Sequence, residues 1–442
     1  MTRPSRSTSR REFLRTSVAV AASAVAAPMI IPASALGKDG AVAPSNRIVF
    51  GCIGLGGQGR HNMNQFLGRA DCQVVALCDV DTNNRKEALA QVVGKYKSDA
   101  GIALHTDFRE LVARKDIDAV TVCTPDHWHA LASIAAANSG KDIYCEKPLS
   151  NSVAEGRAIV NAVEKNKRVL QTGSHERSGA SSRFGCELVR NGRIGKLKTI
   201  RVSLPCNDHH HQQAMKLTTM PSEQPVPAHF DYDMWLGHTA KAPYNERRCH
   251  FWWRFVLAYG GGEITDRGAH VIDIGQLGGG FDSTSLVEIK ATGKRNAASL
   301  YDAFWEYEFE GKYANGVQFI GSSTGTRGVK FEGTEGWIFI HIHGGKLEAS
   351  NPAILKEQIG EKEIQLGRSP GHHQNFIDSI RSRTAPVASA EIGHRTATMC
   401  HLINIAMLSG KPLTFDPVSE KITNDAQANA LLSPVMRVPW SL

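Results

Sequence analysis

The chain has 442 residues, 41% apolar and 21% charged, with a formal net charge of +8. These values exclude a disordered or low-complexity protein and leave room for two domains with cores of their own. No dense lysine or arginine run lies beyond the first 35 residues, which argues against nucleic acid as a partner.

Ser9-Arg10-Arg11-Glu12-Phe13-Leu14 precedes an apolar run over 18–31 and then Ala33-Ser34-Ala35, a small-x-small cleavage pattern. Residues 1–35 read as a twin-arginine export signal. The translocase of that route is then a transient partner, and the destination is periplasmic or otherwise extracytoplasmic. A membrane anchor is the competing reading, but Pro28 and Pro32 interrupt a run already short for a bilayer. Loss of this segment removes five Arg and one Glu, lowering the net charge to about +4. Residues 36–45 read as a polar linker. The nine cysteines form no C-x-x-C pair, and Cys52, Cys78, Cys123 and Cys145 fall in apolar strand-like runs. Reduced thiols and no structural metal are expected.

Residues 46–173 alternate strands and helices. The apolar run 47–53 leads directly into Gly54-Leu55-Gly56-Gly57-Gln58-Gly59 and a helix-compatible stretch to Leu67. In G-x-G-x-x-G the first glycine permits a tight turn, the second lets backbone approach a pyrophosphate, and the third lets helix pack on strand. A second strand over 73–78 ends in Asp79, at the spacing of a ribose-binding acid. Asp79 favours NAD; Arg85 and Lys86 lie close enough to keep NADP open. Helices follow over 82–97 and 107–113. A strand over 119–124 runs into Pro125-Asp126-His127-Trp128-His129, then a helix over 130–138. The strand over 142–146 stops on Glu146-Lys147-Pro148, where Pro148 could fix the lysine through a cis bond. A capping-box helix from Ser152 and a strand over 169–173 complete a parallel α/β sheet covered on both faces.

The glycine loop, Thr124-Pro125-Asp126-His127-Trp128-His129 and Glu146-Lys147-Pro148, in that order, resemble the Gfo/Idh/MocA oxidoreductases, the group of glucose-fructose oxidoreductase and inositol dehydrogenase. The resemblance spans nearly all of the chain beyond the signal, and E-K-P is its most specific part. It implies a cofactor held by Gly54, Gly56, Gly57, Gln58, Gly59, Asp79, Thr124, Pro125, His127, His129, Glu146 and Lys147.

Residues 174–442 change character. A helix over 181–191 and a strand over 197–204 precede a polar, proline-bearing segment over 205–227. Runs over 286–291, 303–309, 316–322 and 335–342 alternate without long intervening helices, as in a mainly antiparallel sheet. This α+β domain with an open sheet face agrees with the family's carboxy-terminal domain, whose open face implies a homo-oligomer, dimer or tetramer. Helices are read over 374–383 and 392–408, with a tail laid across the body.

After Gly260-Gly261-Gly262, Asp266 and His270 stand four apart in a helix-like stretch, with Asp273 on the same face. Spacing alone leaves open that Asp266 caps the helix and His270 is a buried structural histidine. The family motif implies Lys147, Asp266 and His270 as the catalytic group: lysine or histidine takes a hydroxyl proton while the nicotinamide accepts hydride, and aspartate orients them. Arg267 departs from an apolar or aromatic position and could add an anion contact. The stretch 244–254 mixes aromatic faces with polar donors, either to hold a sugar or as an aromatic core between domains; Tyr244, Arg248, Trp253 and the earlier Trp235 share both readings. His175 and Arg177 follow the last parallel strand and could reach substrate. His209-His210-His211 in a loop, and His341 with His343 on one strand face, are not expected to form a metal site. The expected activity is NAD(P)-dependent hydride transfer with a secondary hydroxyl of a sugar, sugar derivative or cyclitol, on a tightly held cofactor. The alternatives are a redox-neutral glycosidase or lyase, and a non-catalytic sugar-binding protein.

Overall fold

The computed structural model describes residues 42–442, so residues 1–35, expected to be an export signal, lie outside the described residues. From Ile48 the chain runs β1 (Ile48–Ile53), α1 (Gly57–Leu67), β2 (Cys72–Cys78), α2 (Thr82–Tyr96), β3 (Ala103–His105), α3 (Phe108–Val112), β4 (Ala119–Val122), α4 (His129–Asn138), β5 (Asp142–Cys145), α5 (Val153–Lys165) and β6 (Leu170–Thr172). These six strands form one parallel sheet in the order β3-β2-β1-β4-β5-β6, so the direction in which strands are added to the sheet reverses between β1 and β4. That reversal opens a crevice beyond the carboxyl ends of the strands, where ligands bind in such sheets. Buried apolar residues such as Phe50, Val120 and Ile143 explain why the strands read as continuous hydrophobic runs.

The second part contains α6 (Ala180–Arg190), β7 (Leu197–Ser203), α7 (His209–Met215), α8 (Tyr232–Leu236), α9 (Gly268–Gly279), β8 (Glu288–Lys294), β9 (Glu306–Lys312), β10 (Gln318–Ser322), β11 (Gly328–Gly333), β12 (Trp337–His341) and β13 (Leu347–Ala349). It closes with α10 (His372–Ser382), α11 (Ala390–Ser409), β14 (Leu413–Asp416), β15 (Lys421–Ile422) and α12 (Ala426–Ala430). Nine strands make a mixed sheet, antiparallel except where β10 pairs with β7. α6 and α9 cover one face, burying Ile200, Phe319 and Phe331. The other face carries charge, for example the cross-strand pairs Lys290–Glu310 at 2.5 Å and Lys294–Glu306 at 2.6 Å.

Three local readings are corrected. The three histidines over 209–211 open α7 instead of lying in a loop, because Asp208 and His211 form a reciprocal capping box. The region after 410 is not a mere tail, since β14 pairs with β8 at the sheet edge. α10 leaves the second sheet and buries Phe376 and Ile377 among Phe50 and Tyr144 of the first sheet and Phe66 of α1. α11 bridges the two sheets: Met399, Leu402 and Ala406 pack in the core of the second, while its Glu391 meets Arg157 of α5 at 2.9 Å, a guanidinium that also takes Glu420, before β15, at 2.7 Å. All nine cysteines are free thiols; six lie within strands or helices, Cys123 stands one residue past β4, and Cys206 and Cys249 lie in connecting segments. Among the described residues no helix is long and apolar enough to cross a membrane.

Candidate active site

The glycine loop is set by contacts that exclude side chains. Gly54 has φ +80°, and a Cβ there would lie 2.6 Å from the backbone of Cys123; a Cβ on Gly59 would lie 1.9 Å from the Gly54 carbonyl oxygen. At Gly56 and Gly57 the opposite holds, because a Cβ would meet nothing within 4 Å. Those two glycines therefore face open space at the amino end of α1, where a pyrophosphate fits against unpaired N–H groups. Asp79 closes the loop: one carboxylate oxygen accepts from Leu55 N at 2.6 Å and the other from Asp81 N at 2.8 Å. Burial pushes its carboxyl up, opposed by those amides. Asp79 still lines the cavity, with acceptor capacity left for a ribose diol. Arg85 donates to the Asp79 carbonyl and to Thr106 at 2.9 Å, so its guanidinium is committed to the fold.

A cavity of about 750 Å³ runs from this loop to α9. Gln58, Thr124, Pro125, His129 and Glu146 line its first part. Glu146 accepts from Gln58 Nε2 at 3.1 Å and Asn62 Nδ2 at 2.7 Å, tying the first turns of α1 to the end of β5. His127 is a correction: it lies behind the wall, fully buried, with Nε2 2.9 Å from the Trp235 carbonyl. Burial pushes its imidazole down to about 3.

Past Glu146 the chain reaches Lys147 and leaves it through a cis Lys147–Pro148 bond. Lys147 Nζ donates to Asp266 Oδ1 at 2.6 Å and to the Asp266 carbonyl at 2.9 Å. Asp266 stands in the turn before α9, whose first residue is Gly268, so it shares no helix face with His270 and caps no amide. Burial opposes its ionisation, but Lys147 and Arg254 outweigh that and hold the carboxyl far below the usual range. His270 enters in the first turn of α9, with an unpartnered Nδ1. Burial first, and then the charge of Lys147, drive its pKa well down, so it is a neutral imidazole at ordinary pH. Lysine, aspartate and histidine are thus brought together on one wall.

Other expected contacts sort by depth. His175, Trp235, Trp253 and Arg267 line the cavity; Tyr244, Arg248 and Arg177 do not. Tyr244 packs with Phe230 and Tyr232 in an aromatic core, and Arg248 donates to the Pro243 carbonyl at 3.3 Å. Arg177 is buried and forks to Asp273 at 2.8 Å and Asp282 at 2.7 Å, which makes it and Asp273 structural. Arg267 is paired with Asp208 at 2.6 Å.

Sequence reasoning missed Asp126, Arg254, His210 and His343 in the wall. Asp126 sits inside the quoted T-P-D-H-W-H motif, and burial pushes its carboxyl well up, opposed chiefly by the charge of Lys147. Arg254 lies over the Trp253 ring at 4.5 Å with Nε 3.7 Å from Asp266 Oδ1. His343 does not pair with His341. His341 turns to Glu348 at 2.9 Å, while His343, past the end of β12, faces His175 and His270.

Residues 48–174 match the family model described as "Oxidoreductase family, NAD-binding Rossmann fold", and residues 186–442 its "C-terminal alpha/beta domain". The chain belongs to the Gfo/Idh/MocA oxidoreductase family. Its Rossmann domain is NAD-binding, in keeping with the open cradle at Gly56 and Gly57. Among solved structures, the Gfo/Idh/MocA fold is shared with an aldose-aldose oxidoreductase from Caulobacter crescentus, at 18% identity and TM-score 0.59, covering 84% of this chain and 100% of that one. It is also shared with the WlbA dehydrogenase from Bordetella pertussis, solved with NADH and UDP-GlcNAcA, at 15% identity and TM-score 0.60, covering 84% and 99%. By sequence, an alpha-N-acetylgalactosaminidase from Shewanella oneidensis is 30% identical over 201 residues, 42% of this chain and 44% of that protein. The match therefore spans less than half the length of such curated relatives, which include a glycosyl hydrolase family 109 protein from Shewanella sp. strain MR-4 with the same figures.

Proposed function

We propose that this protein is an NAD-dependent enzyme that moves hydride between the nicotinamide and a secondary hydroxyl of a sugar, sugar derivative or cyclitol. The observation that carries the reading is the Lys147–Asp266 pair at 2.6 Å, on the wall between the glycine-loop cradle and α9, with neutral His270 beside it. Bound NAD supplies the hydride acceptor. Asp266 holds the lysine ammonium against the substrate hydroxyl; the neutral His270 imidazole takes the proton, relayed by the ammonium, which gives up one proton as it takes another, and the buried wall limits water. Gln58, Asn62 and Glu146 fix the lysine relative to the cradle. We further propose that residues 1–35 direct export by the twin-arginine route, and that the charged open sheet face takes part in a homo-oligomer.

A second reading is a glycosidase in which the hydride returns to the ring after elimination of the leaving group. It draws support from the 30% identity to an alpha-N-acetylgalactosaminidase. One experiment separates the two: incubate the purified protein with NAD and a panel of sugars and aryl glycosides, following reduced-cofactor absorbance and released products. Stoichiometric NADH with a keto-sugar supports the first reading. Glycoside cleavage without net NADH supports the second, and neither signal across uronates, hexoses, N-acetylhexosamines and inositols sinks both.

A further inference from the structure

We propose that His175, His270 and His343 bind one divalent transition-metal cation of the zinc class at the substrate end of the cavity, with a coordination position left for a sugar oxygen. The three come from different places: a 3-10 turn after β6, the first turn of α9 and the turn after β12. One ring nitrogen from each lies within 4.8 Å of the others. Their ring centroids are 4.6, 5.6 and 5.0 Å apart. A tetrahedral ion with metal–nitrogen bonds of about 2.0–2.1 Å places imidazole centroids about 5 Å and the ligating nitrogens about 3.3 Å apart, so the backbone spacing fits and the side chains turn and close by up to roughly 1.5 Å to meet the ion.

Three further features suit a cation. None of the rings has a side-chain hydrogen bond to protein, the nearest approach being His175 Nε2 to Glu176 Oε1 at 3.7 Å. Burial keeps His270 neutral, and His343, although exposed at its surface, is also pushed down by partial desolvation, which leaves both in the ligating form. The Glu176 carboxylate braces the arrangement, accepting from His343 N at 3.0 Å and Ser182 Oγ at 3.0 Å. His343 is held at φ +65°, a left-handed conformation that a non-glycine residue adopts at a cost, and it turns the ring inward. The nearby Lys147 charge is balanced by Asp266.

The other triad able to converge, Asp208 with His210 and His211, has its donors occupied: Asp208 takes Arg267 at 2.6 Å, and His211 takes Glu263 at 3.0 Å. With a cation in place His270 is a ligand, the cation acidifies the hydroxyl it holds, and Lys147 relays that proton to solvent. The identity of the fourth ligand rests on the sugar reading; cation binding does not.

The test uses the full chain without an affinity tag, stripped with chelator and titrated with Co(II) and then Zn(II), with NAD affinity measured in parallel as the fold control. One Co(II) per chain with visible d–d absorption is expected. Binding should weaken at least tenfold in both His343→Phe and His175→Gln, and persist in His210→Phe. If His343→Phe fails to bind NAD, the half-exposed His175→Gln decides. No saturable Co(II) binding, or binding untouched by His175→Gln, overturns the site. A bound cation without sugar turnover sinks the sugar reading and leaves the site standing; turnover in protein that takes up no Co(II) does the reverse.

Discussion

Replacing Lys147 by Met keeps the bulk of the side chain and removes its charge, and the consequences separate into two magnitudes. The ammonium is the closest counterion of Asp266, with side chains 15% and 17% exposed. Removing one member of a buried pair costs about 3–5 kcal/mol, and because Arg254 stays 3.7 Å from the same carboxylate the lower end applies. The kinetic loss is separate: a positioned proton-transfer group contributes about 10²–10⁴ in rate, or roughly 3–5 kcal/mol of barrier. Lys147→Met should therefore bind NAD normally, denature earlier, and lose at least a hundredfold in kcat on the best sugar found. The stability difference has a pH signature. Asp266 has its folded pKa depressed, so the pair's contribution is present above the unfolded carboxyl value near 3.9 and is lost as pH falls through the folded value. Urea titrations at pH 7 and pH 3 should show the wild-type advantage shrinking at the lower pH. Activity within threefold of wild type would refute the proton role, and an equal urea midpoint at pH 7 would refute the pairing.

The two classes of glycine should part company: Gly59→Ala, with its Cβ against the Gly54 carbonyl, should unfold the loop and lower the melting temperature by several degrees. Gly56→Ala should keep the wild-type melting temperature and lose at least tenfold in NAD affinity by fluorescence titration; unchanged affinity would show that the pyrophosphate lies elsewhere. Arg177→Met leaves Asp273 and Asp282 without their cation, so a loss of about 3–5 kcal/mol in urea unfolding is expected with unchanged KM in the folded protein. A raised KM at full stability would restore Arg177 to the substrate site. Finally, His127 and His372 are held neutral by burial, both pushed down to about 3. The unfolded chain binds their protons below about 6.5, so stability should fall from pH 6.5 towards pH 3, and a flat melting profile between pH 7 and 5 would contradict the burial.

The parts of the site that were legible in the sequence are those built by short-range geometry. A glycine loop between a strand and a helix, an acid at the end of the next strand, and a lysine at the end of β5 all follow from one crossover unit, where spacing in sequence is spacing in space. The role of Arg177 is not legible in the sequence because its partners lie 96 and 105 residues away, and nothing local distinguishes a cation aimed at substrate from one aimed at two distant carboxylates. Asp266 was placed on a helix because four-residue spacing is the same in a helix and in a turn that leads into one. His343 was paired with His341 by strand alternation, a rule that ends with β12; the left-handed residue beyond it sends the ring the other way.

The position of Lys147 depends on more than the Rossmann domain that contains it. Its neighbour Glu146 is fixed by Asn62 of α1, and the same Asn62 side chain is 3.0 Å from His373 Nε2 of α10. His373 in turn stacks on Tyr144 of β5 at 5.1 Å, three residues before the lysine. α10 is thus wedged against the strand that delivers Lys147, while the turn before α9 supplies the carboxylate that receives its amine. A hydrogen-bonded and stacked chain of groups, each with little freedom to move, places the amine from one side and its acceptor from the other. The second half of the molecule therefore does more than hold substrate: by packing back on the first sheet it sets the geometry between the cofactor cradle and the reacting lysine.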